Sequence, residues 1–506
     1  MNILNDLYIS LYSLFLIHLS NFYTVLKINT RGIIPLPNFE KGEYMMTPDQ
    51  IGFALLYLGV FLLIGKWIRI NSKWLQNLFL PSSVIAGFLA LILGPQVLGQ
   101  FFDEGTFWST GVMTPEISAV WEALPGLLIN VVFATLFLGT ILPNLKKVWN
   151  IGGPQLAFGW TLGWGQYVFG ILLTLLVLTP FFGLPPMVGA LIEVGFEGGH
   201  GTAAGLQGTF EEMDFAEAYD LAIGLATVGI LSGVIIGIIM INWGIRKGKT
   251  EVIKGADEAS ATQRQGIIEF ENREPAAKMT VRPESIEPLS LHFAIIGLAI
   301  LVGYLILQGL IWVEAVIFGT DLMTYVPLFP LAMIGGILVQ LFFTKLDHAS
   351  ILDRHMVMRI QGLALDILIL AAIGTVSLEV IGENIIPFLL LAIVGIGWNV
   401  FGFFVLAPRM IPSYWLERAI GDFGQSMGIT ATGLLLMRVA DPEAKSPSFE
   451  GFGYKQLVFE PFLGGGLVTA LSVPLIFQFG AVPFLIFSFV MLLLGFGVGL
   501  FHFGKK

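Results

Sequence analysis

Eleven apolar runs, each long enough to cross a bilayer, recur along this chain. They lie near residues 50–68, 77–98, 121–143, 154–180, 219–245, 290–313, 326–345, 359–381, 386–408, 457–478 and 480–502. About 20 apolar residues in a helix span the hydrocarbon of a membrane. Lipid offers the backbone no hydrogen-bond partner, so a spanning segment must satisfy its own N–H and C=O groups, as a helix does. The alternation of a β-barrel, in segments of roughly ten residues, is not seen. The pattern predicts an all-α polytopic membrane protein. A chain that is 55% hydrophobic and 12% charged excludes a soluble enzyme. Cysteine is absent, which rules out disulfides, thiolate metal sites and cysteine nucleophiles. No run of basic and aromatic residues suggests nucleic acid.

Flanking charges orient the spans. Arg69, Lys73, Lys146, Lys147, Arg246, Lys247, Lys345, Arg354, Arg409 and Lys505 fall on one side, read as the cytoplasm. Asp103, Glu116, Glu211, Glu212, Glu314, Asp321 and Glu379 fall on the other. The polar stretch 246–288 becomes a cytoplasmic linker. Residues 1–45 form an N-terminal extension with an apolar run, Leu7 to Leu26, and a second plausible start at Met45-Met46. A signal-like segment, an interfacial helix, an extra span and an upstream mis-start all stay open for it.

Two stretches interrupt the apolar pattern. Gly195–Leu206 reads GFEGGHGTAAGL, and Gly421–Leu434 reads GDFGQSMGITATGL. Both end in Thr-Ala-x-Gly-Leu, and the topology has them enter from opposite sides. They are read as re-entrant segments near 185–210 and 412–438 that meet at membrane depth and form a solute site. Ordered matches support an inverted repeat of 46–245 and 289–478. Pro81, Ile85 and Gly87 match Pro330, Ile334 and Gly336; Gly126, Asn130 and Gly139 match Gly362, Asp366 and Gly374; Gly163, Gly165 and Gly170 match Gly395, Gly397 and Gly402. Residues 479–506 are then an accessory helix.

Free backbone groups at a helix break attract carboxylates through N–H and cations through C=O. Glycine lets the backbone approach a ligand closely. Ionisable groups at this depth cost about 2.5–3.5 kcal/mol each to insert and so mark function. The candidates for substrate are Gly199, His200, Gly201, Thr202, Asp422, Gln425, Ser426, Thr430 and Thr432. Those for the coupling ion are Asn130, Glu197, Asp366 and Asn399, with Gln166 lining the same cavity. Asp366 is either a cation ligand or a hydrogen bond that locks two helices. His200 is a structural or substrate contact, since no second ligand stands at a metal spacing. Glu193, Glu197 and His200 could instead be acid–base groups of a membrane-embedded enzyme, without any nucleophile motif beside them. Arg438 reads as a partner for substrate or a cytoplasmic anchor. Gly233 and Gly237 read as a helix-packing pair.

The stretches at 195–206 and 421–442, with LPSSVIAGFLALILGP at 80–95, resemble the bacterial sodium/glutamate symporter family over roughly 46–478. The resemblance implies ten core helices in two inverted five-helix repeats, each with a re-entrant hairpin. It also implies Na⁺-coupled uptake of glutamate across the plasma (inner) membrane, a homodimer and an elevator-like movement. No cofactor is implied beyond Na⁺ as the coupling ion. The family's motif residues carry over to Gly198, Gly199, His200, Gly201 and Thr202, and to Gly424, Gln425, Ser426, Gly428 and Thr430. The N-terminal extension and the eleventh span depart from the family's ten helices. Another dicarboxylate, or H⁺ coupling, is the alternative that the intramembrane acids and His200 permit.

Overall fold

The computed structural model describes residues 47–506 apart from 78–79, 104–105, 107, 141–145, 147, 253–266, 269, 274, 318, 320–321, 347–350, 442–443 and 505–506. The expectations for residues 1–45 lie outside the described residues. The chain divides into two units, Met1–Gln50 and Ile51–Lys506. The second holds all the elements below except the first turn of α1.

Among the described residues there is no strand, and ten helices are long and apolar enough to cross a membrane. They are α1 (Pro48–Asn71), α2 (Ser82–Leu93, continued by a turn to Phe101), α3 (Pro115–Ala134), α4 (Val148–Phe182), α8 (Glu217–Arg246), α9 (Pro288–Ile317), α10 (Leu328–Lys345), α11 (Arg354–Thr375), α12 (Ile385–Met410) and α16 (Ala481–Phe503). Between α4 and α8 come three short helices, α5 (Pro186–Phe196), α6 (Gly199–Gly205) and α7 (Gln207–Glu212). After α12 come α13 (Trp415–Ala440), α14 (Ser448–Phe459) and α15 (Leu467–Phe479).

One expected span is not a single helix. The apolar run 457–478 is split between α14 and α15 by the loop 460–466. Gly464 and Gly465 take φ of 68° and 96° there, a left-handed backbone that glycine adopts without steric cost. Mean hydropathy hides this break, because the glycines leave the run apolar.

The largest apolar core joins α4, α5, α8, α12 and α13 with α14, α15 and α16. A separate core joins α1, α2, α3 and α11. Another joins α9, α10, α11 and the end of α3. Two contacts between the halves answer one another. Gly87 of α2 lies against Ile373 of α11, and Gly336 of α10 lies against the Ala134 carbonyl of α3. No side chain fits at either glycine without moving its neighbour.

Helix α8 serves as a ruler for the interrupted segments. Gly195 packs on Leu225, and Phe196 lies beside Gly229. Gly229 also faces the Met427 carbonyl, Gly428 lies over Ile230, and Gly233 lies against Met427. Farther along, Leu436 covers Gly237 and Leu416 covers Gly244. Both interruptions therefore meet α8 near residues 229–230, about 18 Å from its start at 1.5 Å per residue. Gly233 and Gly237 are close-packing positions, as expected from their spacing.

Candidate functional site

Each interruption is a real break in the helix. In the first, α5 ends at Phe196 and α6 begins at Gly199, whose φ is 71°. In the second, α13 loses helical geometry at Gly428 and Ile429. Gly428 is extended there, whereas Ile429 has φ of 65°, a region that disfavours a β-branched residue. Such a conformation costs about 1–3 kcal/mol and persists only where the surroundings hold it. The arms of α13 then run back along each other, with Gly421 against Met437 and Gly424 against Gly433. Glycine at 424 and 433 permits that approach. The two breaks touch, since a Cβ on Gly199 would run into Ile429 Cγ2.

A polar centre forms where they meet. Ser426 Oγ donates to Glu197 Oε1 at 3.1 Å. The Ser426 carbonyl accepts from Gln166 Nε2 at 2.7 Å and from Asn399 Nδ2 at 3.2 Å. Residues from α4, α12 and both breaks thus converge on one serine. Asp422 is one turn before Ser426 on the same arm, so the two share a face. Glu197, Asp422, Gln166 and Asn399 are all buried. No protein group donates to Glu197 Oε2, Gln166 Oε1 or Asp422 Oδ2. Buried polar atoms without a partner are rare, and each calls for a physical reason.

The loop 460–466 supplies a third side, which sequence reasoning missed. Gly464 N–H donates to Glu193 Oε1 at 3.1 Å, and Thr469 Oγ1 donates to the same oxygen at 2.8 Å. Tyr167 O–H donates to Glu193 Oε2 at 2.5 Å. Gly465 lies against Thr202 and Phe133. Thr430 Oγ1 donates to Glu460 Oε1 at 2.8 Å, and Gln456 Nε2 donates to both at 2.7 and 2.8 Å. Lys455 Nζ donates to Gln425 Oε1 at 2.6 Å and lies 2.9 Å from Asp422 Oδ1. This is an ion pair with neither Asp422 oxygen in good hydrogen-bond alignment. The signal for these residues was Gly464-Gly465-Gly466 inside an apolar run, with Lys455 and Glu460 just before it.

The remaining candidates are distributed as follows. Thr202 Oγ1 donates to the Gly198 carbonyl at 2.9 Å, and Thr432 Oγ1 donates to the Gly428 carbonyl; each hydroxyl ties its own break. Gly201 packs on Ile129. His200 turns to α8, where its Nε2 is 2.9 Å from Thr227 Oγ1. That hydroxyl also lies 3.0 Å from the Ile223 carbonyl of the same helix. The acid–base trio therefore shares no hydrogen bond: Glu193 anchors the loop, Glu197 meets Ser426, and His200 meets Thr227. Asn130 bonds back to the Gly126 and Leu127 carbonyls of its own helix at 3.0 and 3.2 Å. It lines a cavity of about 230 Å³ with Gly205, Thr209, Glu212, Tyr325 and Phe329. Asp366 is exposed on α11 beside Ser83. Neither Asn130 nor Asp366 hydrogen-bonds to the Glu197–Ser426–Asn399 group. Arg438 is exposed, and the cation at Asp422 is Lys455.

Comparison with curated proteins gives no match for the chain. Comparison with protein families gives the sodium/glutamate symporters, matched over residues 50–440, which takes in both breaks and the Gln166 and Asn399 helices. With ten apolar helices among its described residues and a match over most of its length, this multi-pass membrane protein belongs to the sodium/glutamate symporter family, whose members couple glutamate transport to Na⁺.

Proposed function

We propose that the chain carries Na⁺ and L-glutamate together into the cell through the centre where the two breaks meet. The observation that carries this reading is the set of buried, partnerless oxygens on residues that meet at Ser426 or lie one turn from it: Glu197 Oε2, Gln166 Oε1 and Asp422 Oδ2. Hard oxygen atoms without a donor suit an alkali cation, and its charge would offset the cost of burying the carboxylates. Asn399 holds the Ser426 carbonyl in place, so it acts on the ion through that oxygen. Glutamate would lie against the broken ends, with a carboxylate at the amides of Gly199–Thr202 and Thr430–Thr432 and its ammonium toward Asp422 and Gln425. Ion binding would draw the two breaks together, so that the anionic substrate binds after Na⁺.

In this reading the breaks at 185–210 and 412–438 are re-entrant hairpins. The antiparallel arms of α13 support it, as does the common depth of both breaks on α8. The answering contacts Gly87–Ile373 and Gly336–Ala134 support the inverted repeats 46–245 and 289–478. The large core bears both breaks, whereas most of the buried residues of α1–α3 and α9–α11 lie in other cores, with Leu91 and Ala372 joining the large one. That division supports an elevator, in which the break-bearing part slides against the rest. The protein would be a homodimer of the plasma (inner) membrane, with 246–288 and the C-terminus in the cytoplasm and 479–506 as an accessory helix.

Purified protein in liposomes tests this. Glutamate uptake should follow an inward Na⁺ gradient and collapse without it. Uptake that is saturable but indifferent to Na⁺ would refute the coupling, and a proton gradient that replaces Na⁺ would favour the H⁺-coupled alternative. Competition by other dicarboxylates separates glutamate from its analogues.

A further inference from the structure

Lys455 stands at the centre of this region yet outside the stretch matched to the family, residues 50–440. Its side chain is 0% exposed, as is that of Asp422. Its Nζ touches a carboxylate oxygen of Asp422, the amide oxygen of Gln425 and, at 4.1 Å, the face of the Phe459 ring. The fold makes room for it, since Lys455 Cε and Nζ lie where a Cβ on Gly159 would go. A carboxylate, an amide oxygen and an aromatic face form a cation site. Here the cation belongs to the chain. The carboxylate and amide that it holds are the two groups that the transport reading turns toward the glutamate ammonium, and the carboxylate is also one that it gives to Na⁺.

We propose that Lys455 is a tethered cation that competes with Na⁺ for Asp422. The inference rests on the transport reading and deepens it. A carrier must return empty past an apolar barrier, and a lone buried carboxylate there costs several kcal/mol. Lys455 neutralises Asp422 during that return. When Na⁺ arrives at the free Oδ2 side of Asp422, it displaces the ammonium, and the local charge carried across stays low. The charge of Lys455 also acts on Glu197 and Glu460, and that of Arg418 acts on Asp422 from one turn earlier on α13.

Two measurements test this. In proteoliposomes, Lys455→Met should lower the Na⁺ concentration for half-maximal glutamate uptake by about tenfold, within the usual range of coupling between two sites. An unchanged or raised value overturns the proposal, because a lysine that only braces the fold would not compete. The second measurement uses the unmodified chain and stands even where the variant fails to fold. A small membrane-permeant acylating reagent should modify Lys455 several times faster in saturating Na⁺ than in choline, with exposed Lys247 as the internal reference. Equal labelling in both salts overturns the proposal. If the unmodified carrier shows no Na⁺ dependence, the transport reading has failed. If it is Na⁺-dependent and both measurements ignore Na⁺, only the role of Lys455 has failed.

Discussion

Ser426 Oγ lies 3.1 Å from Glu197 Oε1 and joins two breaks that are 229 residues apart in the chain. The bond satisfies one Glu197 oxygen and leaves the other, Oε2, buried beside Gly163 without a donor. Glu197→Gln keeps the shape and removes the charge. If Oε2 is an ion ligand, the Na⁺ concentration for half-maximal uptake should rise about tenfold or more, a loss on the scale of one buried charged contact. Thermal stability should hold or improve, because an uncompensated buried charge is gone. A Na⁺ response that does not move would take Glu197 out of the ion site.

The contact between Gly199 and Ile429 can be separated from backbone strain. Gly199 and Gly183 share a φ of 71°, but a Cβ at 199 would strike Ile429 whereas one at 183 meets nothing within 4 Å. Alanine in a left-handed conformation costs about 1–2 kcal/mol at either position. Gly183→Ala should show that modest loss in thermal unfolding and retain uptake. Gly199→Ala should lose stability further and lose uptake, since the breaks can no longer close on each other. Equal effects at the two positions would show that the meeting of the breaks does not matter for transport.

Glu193 differs from Glu197 although they lie one turn apart. Both of its oxygens are occupied, by Tyr167 on one side and by Thr469 and Gly464 on the other. It fastens the loop 460–466 to α5. Tyr167→Phe should therefore destabilise the protein by about 1.5–3 kcal/mol, the scale of a hydrogen bond to a charged group. The Na⁺ concentration for half-maximal uptake should stay within twofold among the molecules that remain folded. A large shift there would make Glu193 part of the ion site after all.

The spans and both breaks were legible because hydropathy and glycine content are local properties. Glycine and polar residues between two apolar runs leave little choice but an interruption. The α14–α15 break was missed because Gly464–Gly466 does not lower hydropathy, and because Lys455 and Glu460 look like the flanking charges of an ordinary span. Partnership was less legible than position. Asp422 stood out from the sequence, but its pairing with Lys455 depends on α14 lying along α13, which no local pattern encodes. The assignment of His200 to Thr227 depends in the same way on α8 passing behind α6.

Asp366 shows the limit from the other direction. A lone carboxylate among apolar neighbours is conspicuous in sequence, but its role depends on which face of α11 it occupies. The side chain is exposed next to Ser83, while Leu368 and Ala364 of the same helix turn inward to the core with Ile129 and Phe329. It therefore has no route to the Glu197–Ser426–Asn399 group through a shared hydrogen bond. Asp366→Asn should leave the Na⁺ concentration for half-maximal uptake within twofold if its carboxylate meets no ion. Because a charge exposed on a spanning helix is costly in lipid, the exchange should also leave stability equal or higher. A weakened Na⁺ response would instead place a second ion position on α11, remote from the breaks, and would require the coupling between the two positions to pass through the α2–α11 contact at Gly87.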